Sequence, residues 1–126
     1  MGYIPAFGSC GVCQSCVRDN PCASRDEFCT IGVSEFGTDV GYDETFDTTC
    51  DFTSARDIDL DFEAWNHNSQ LIIYANGVSI YDSGCIIAHP MVTVTVPGGT
   101  TSLRFLVVVN CAGGTGASWD LFVQCA

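Results

Sequence analysis

The sequence predicts an all-β protein: an antiparallel β-sandwich, jelly-roll-like, preceded by an irregular Cys-rich N-terminal arm. Three observations predict it. Apolar and acidic residues alternate strictly over residues 57–64, an Asn-Gly pair separates two apolar runs at residues 70–81, and no helical period interrupts the short strand-like runs beyond residue 50. The boundary expected from composition divides the chain into an arm over residues 1–50 and a β-sandwich domain over residues 51–126.

The arm is rich in Cys, Gly, Asp and Thr and has little apolar periodicity. Asn20-Pro21 is a turn signal, and residues 27–33 read as one short strand. Residues 34–49 are acidic and punctuated by glycine, with Phe36, Tyr42 and Phe46 as isolated aromatics. In the sandwich, Ile58, Leu60, Phe62 and Ala64 fall on one face of a strand, and Asp57, Asp59, Asp61 and Glu63 on the other. Residues 70–75 and 78–81 flank Asn76-Gly77, which suits a type I′ hairpin turn because both positions tolerate positive φ. Residues 91–96 alternate again until Pro97-Gly98-Gly99 breaks them. Residues 103–109 are almost continuously apolar, the pattern of a central strand buried on both sides. After the turn at 112–117, Trp119, Leu121 and Val123 share an inward face.

The chain has 126 residues and a formal charge of −11, from 15 acidic residues against four cations, all arginine (Arg18, Arg25, Arg56 and Arg104). Such a surface repels phosphate backbones and anionic headgroups, so nucleic acid and membrane are poor partners; cations or basic protein surfaces are better ones.

Nine cysteines occur: Cys10, Cys13, Cys16, Cys22, Cys29, Cys50, Cys85, Cys111 and Cys125. Cys10, Cys13 and Cys16 repeat at the spacing of a ferredoxin-type or zinc loop, with Cys22 or Cys29 as the remaining thiolate ligand. In the ferredoxin signature the fourth Cys precedes Pro, whereas here Pro21 precedes Cys22. The remaining cysteines are scattered as crosslinks would be, so disulfides are preferred over zinc, and zinc over an iron–sulfur cluster. An odd count leaves at least one thiol free, metal-bound or paired between subunits. If residues 103–110 and 118–124 make a plain hairpin, Cys111 and Cys125 sit at its opposite ends, about 20 Å apart at ~3.3 Å per residue. Cys125 therefore fits better with Cys50 or another distant cysteine.

Calcium is the other metal weighed, and it too is disfavoured. Same-face carboxylates at 57, 59, 61 and 63 lie nearly ~7 Å apart, too far to converge on one ion, and are expected to form a solvated acidic face. The loop group Asp39, Asp43, Glu44 and Asp47 is a slightly better calcium candidate, but has no recognised calcium-loop spacing. His67 and His89 belong to no nucleophile or zinc motif, and 113–116 lacks the Lys of a phosphate loop. No enzyme is expected, and no cofactor is favoured. Trp65, Tyr74 and Tyr81 are aromatics suited either to stacking on sugar rings or to core packing.

The runs FEAWNHNSQLIIYANGV (62–78), YDSG (81–84) and NCAGGTGASWDLFVQC (110–125) resemble small β-sandwich domains that recur in tailed-phage structural proteins and bacterial surface proteins. The resemblance spans roughly the last two-thirds of the chain and leaves out the Cys-rich arm. Related domains often carry Pro-Asp where this chain has Asn66-His67-Asn68, so no role of that loop carries over. The resemblance implies a binding or scaffolding module with no catalytic residues.

Residues 1–9 show no basic region followed by an apolar one, so no secretory leader is legible. The expectation is a phage virion structural protein, made in a host cytoplasm and released. It would be a capsid decoration or cement protein, or a tail or baseplate accessory, contacting major capsid or tail subunits as a homo-oligomer or part of a large assembly. The alternatives are a secreted or surface carbohydrate-binding or adhesion module, and a small zinc or iron–sulfur protein.

Overall fold

The computed structural model describes residues 26–125. A short 3-10 helix, Glu27–Thr30, leads into eight strands: β1 Gly32–Glu35, β2 Tyr42–Asp47, β3 Arg56–Ala64, β4 Gln70–Ala75, β5 Val78–Asp82, β6 Met91–Val96, β7 Ser102–Val108 and β8 Trp119–Cys125. They form two four-stranded antiparallel sheets, ordered β1-β8-β3-β6 and β2-β7-β4-β5. Strand 1 pairs with 8, 2 with 7, 3 with 6 and 4 with 5. The chain is thus one long antiparallel ribbon, turned at Asn76-Gly77 and rolled so that β3 also meets β8 and β4 also meets β7. That is the jelly-roll winding, which packs two sheets over one core.

The alternation read from the sequence fills this core. Ile58, Leu60 and Phe62, with Trp119 and Leu121 beside them on β8, face Leu71, Ile73, Leu103 and Phe105 of the other sheet, all almost wholly excluded from solvent. At ~25 cal/mol per Å² of apolar area removed from water, side chains of this size supply the main drive to fold. One end of the sandwich is plugged by Phe28 of the 3-10 helix, stacked on Phe52 at 5.3 Å. Asn76 and Gly77 have φ of 50° and 81°, as the tight turn requires. The Asn76 side chain also accepts from the Thr101 and Ser102 amides, tying that turn to the loop before β7.

Four expectations change. Residues 32–47, read as part of an arm, supply β1 and β2, an edge strand to each sheet. Their signal is weak because edge strands bury little: Tyr42 and Phe46 pack against the core, but exposed Glu44 sits between them where an apolar residue would complete the pattern. Residues 27–33 are not one strand; the 3-10 turn buries Phe28 first. Strand β7 is central but alternates, with Leu103, Phe105 and Val107 buried and Arg104 and Leu106 only half-buried. Finally, β7 and β8 are not a hairpin, because residues 109–118 carry the chain from one sheet to the other.

Candidate functional site

The winding gathers four loops at one end: residues 36–41, 65–69, 83–90 and 109–118. They are held by the Ser69–Ile86 backbone bridge, by single backbone bonds such as Gly37 N–H to Ala117 O and Cys111 N–H to Asn68 O, and by side chains. Asp39, at φ 58°, is the hub: its Oδ1 accepts from the Gly116 amide (2.6 Å), the Ala117 amide (3.0 Å) and Asn110 Nδ2 (2.7 Å). The Ala117 and Asn110 bonds stabilise the ionised carboxylate and pull its pKa below the usual value. Asn66 brackets the same loop, donating to Gly116 O and accepting from the Ser118 amide, while Asn68 donates to Cys85 O. Gly114 (φ 104°) lies so close to His67 that a Cβ there would come within 2.8 Å of the imidazole. The Cys85–Cys111 disulfide, with Cα atoms 5.9 Å apart, crosslinks two of the four loops.

This fixed end presents apolar groups to solvent. Trp65 is 49% exposed, Phe36 62% and Val40 49%. The Phe36 and Trp65 rings lie 6.1 Å apart at 60°, forming a V and not a flat shelf. Trp65 is anchored: its Nε1 donates to Asp120 Oδ2 at 3.2 Å, and its amide donates to Ser118 O. Asp120 is itself buried on the outer side of β8, and burial raises its pKa against the opposing effect of the Trp65 donor.

From Asp120 an acidic row runs down the outer face of the β1-β8-β3-β6 sheet. The β3 carboxylates find partners on β6 or the loop before it: Thr95 Oγ1 donates to Asp57 (2.6 Å), Thr93 Oγ1 to Asp59 (2.7 Å), and His89 Nε2 meets Asp61. His89 Nδ1 lies 3.5 Å from Glu63. The bond to Asp61, supported by the charges of Glu63 and Asp120, raises the His89 pKa.

The acidic residues weighed for calcium do not converge. Asp39 binds loop amides, Asp43 pairs with Arg104 at 2.8 Å, and Asp47 caps Thr49. Among the described residues, the one group of three His, Cys or carboxylate ligands within 4.8 Å of one another is Asp26, Cys29 and Cys125. Its two thiols are joined in a disulfide and Asp26 is paired with Arg56, so the donor set does not fit a metal.

Cys125 therefore pairs with a distant cysteine as expected, but with Cys29 and not Cys50, across a sequence separation of 96. Cys50 is disulfide-bonded too. Cys10, Cys13, Cys16 and Cys22 lie outside the described residues. Of the aromatics considered for stacking, Trp65 is presented at the loop end. Tyr74 lies under the Arg104 guanidinium on the opposite sheet, and Tyr81 packs against the core. The sequence reading missed Asp120 as a partner of Trp65 and Phe36 as its neighbour; the isolated aromatic at 36 was the available signal.

No protein-family model matches the chain. No curated protein matches it. Among solved structures it is similar to the pre-peptidase C-terminal domain of a collagenase from Bacillus anthracis, with a TM-score of 0.52 and 16% sequence identity, covering 75% of this chain and 86% of that one. At that identity the likeness establishes a shared β-sandwich fold, here one crosslinked by disulfides.

Proposed function

We propose that the protein is a non-catalytic recognition module that works outside the reducing cytoplasm and binds carbohydrate at its loop end. The observation that carries this reading is the anchored, half-exposed Trp65 beside Phe36. An indole held by its own hydrogen bond and by crosslinked loops offers a ring face to the C–H side of a sugar with little ordering cost on binding. Asp120, buried on the outer face of β8, serves to hold the Trp65 ring and not to meet the ligand. The disulfides fit an oxidising setting.

A glycan array probed with the full chain tests this. Binding that Trp65→Ala weakens by about tenfold or more, the scale of an aromatic hot spot, is the expected result. An array without hits, or hits indifferent to Trp65→Ala, contradicts it.

A second reading, a phage capsid decoration or tail protein, draws support from the spread of exposed apolar side chains over several surfaces: Val78, Ile87, Met91, Val108 and Phe122. A block with contacts on many sides suits a multi-subunit shell. Failure to bind purified phage particles, and absence from them, removes this reading.

A further inference from the structure

The outer face of the β1-β8-β3-β6 sheet carries acidic side chains with, among the described residues, no cation beside them except His89. Asp57, Asp59, Asp61 and Glu63 line β3 and Asp120 lies beside them on β8. The described arginines are committed elsewhere: Arg56 to Asp26, and Arg104 to Asp43 on the other sheet. Like charges on one face oppose folding, so this row is a standing cost that a cationic partner relieves.

The face also has a groove of about 440 Å³, lined by Asp59, Asp61, Met91, Thr93, Phe122 and Gln124. Met91 is 69% exposed and Phe122 43%, flanking Asp61 from the two neighbouring strands. The Phe122 ring lies over Gly32, where a Cβ would come within 3.3 Å of it, so the ring is seated while its outer side is open. Thr93 and Thr95 bond only one oxygen each of Asp59 and Asp57, and an ionised carboxylate has further acceptor sites.

We propose that this face docks an extended polypeptide segment of a partner protein bearing Lys or Arg at alternating positions. The repeat selects that occupant. Same-face carboxylates on a strand recur at about 6.6 Å, twice the rise per residue, and alternate side chains of an extended peptide recur at the same interval. A metal ion needs its ligands to converge, and these do not. A Lys or Arg stem lies along Phe122 and Met91 while its charge reaches Asp59 and Asp61. The proposal stands apart from the glycan reading, which uses the loop end.

The test is an NMR titration of the full chain with two synthetic peptides of one composition, arginine alternating with serine or arginine in one block. The alternating peptide is expected to shift the amides of Asp59, Asp61, Thr93 and Gln124 and to bind more tightly than the block. Asp59→Asn and Met91→Ala, both at exposed positions, are each expected to weaken it by about two- to fivefold, whereas Glu44→Gln on the other sheet does not. The proposal is overturned by an absence of binding or by equal affinity for the two peptides. Shifts spread equally over Asp43 and Asp47, or an Asp59→Asn effect no larger than that of Glu44→Gln, overturn it as well.

Discussion

Cys29 and Cys125 are joined, which fastens the turn entering the first strand to the last residue of the eighth, across nearly the whole described chain. The bond extends the β1–β8 pairing past its Gly32–Phe122 end, so the edge strand β1 is tied covalently to its neighbour. Phe28, Ile31 and the 3-10 turn are held over the core by the same link.

Replacing both partners with serine is expected to lower stability by about 2–4 kcal/mol. Opening Cys85–Cys111, whose sequence separation is 26, is expected to cost about 1 kcal/mol less, since loop-closure entropy grows with the logarithm of loop length. Urea unfolding of the two double variants checks both the size and the order.

Phe105→Ala removes a wholly buried ring that Phe46 meets edge-on at 5.9 Å. A loss of about 3–5 kcal/mol is expected, again by urea unfolding. Tyr42→Ala, at a half-buried edge position, is expected to cost less.

Asp39→Ala strips three hydrogen bonds from the 109–118 loop while leaving both sheets intact. Amide exchange at Gly116 and Ala117 is expected to accelerate, with β3 and β8 unchanged. Because the folded state lowers the Asp39 pKa, its contribution is present above the ordinary value of 3.8 and is lost as pH falls through the depressed one. Acid is therefore expected to loosen this loop in the wild type, and Asp39→Ala to remove that response.

His89 behaves in the opposite sense. Its pKa is raised by Asp61 first and then by Glu63 and Asp120, so its contribution is complete below the ordinary 6.5 and fades as pH rises through the folded value. A His89→Asn variant is expected to show a flatter stability profile from pH 6.5 upward than the wild type. Identical profiles would show that the imidazole and the acidic row are not coupled.

Much of the fold was legible because β3, β6 and β8 bury one face each, and a period of two states that directly. The Asn76-Gly77 turn was legible from its φ requirement alone. Strands β1 and β2 were not, since edge positions such as Glu44 escape burial and break the period. The pairing of Cys29 with Cys125 and of Cys85 with Cys111 depends on how the ribbon rolls, which spacing along the chain does not encode. The site was half-legible for the same reason: Trp65 and His89 stood out as residue types. Their meeting with Asp120 and Asp61 follows from β3 lying between β8 and β6.

The most direct test of the recognition account uses the contrast between the two tryptophans, one half-exposed at position 65 and one wholly buried at 119. Acrylamide quenching of the full chain, alone and with an oligosaccharide that it binds, reads the exposed ring. The account predicts that the quenchable fraction belongs to Trp65, disappears in Trp65→Phe, and is protected by bound sugar. A bound oligosaccharide that leaves the quenching of Trp65 unchanged would contradict it.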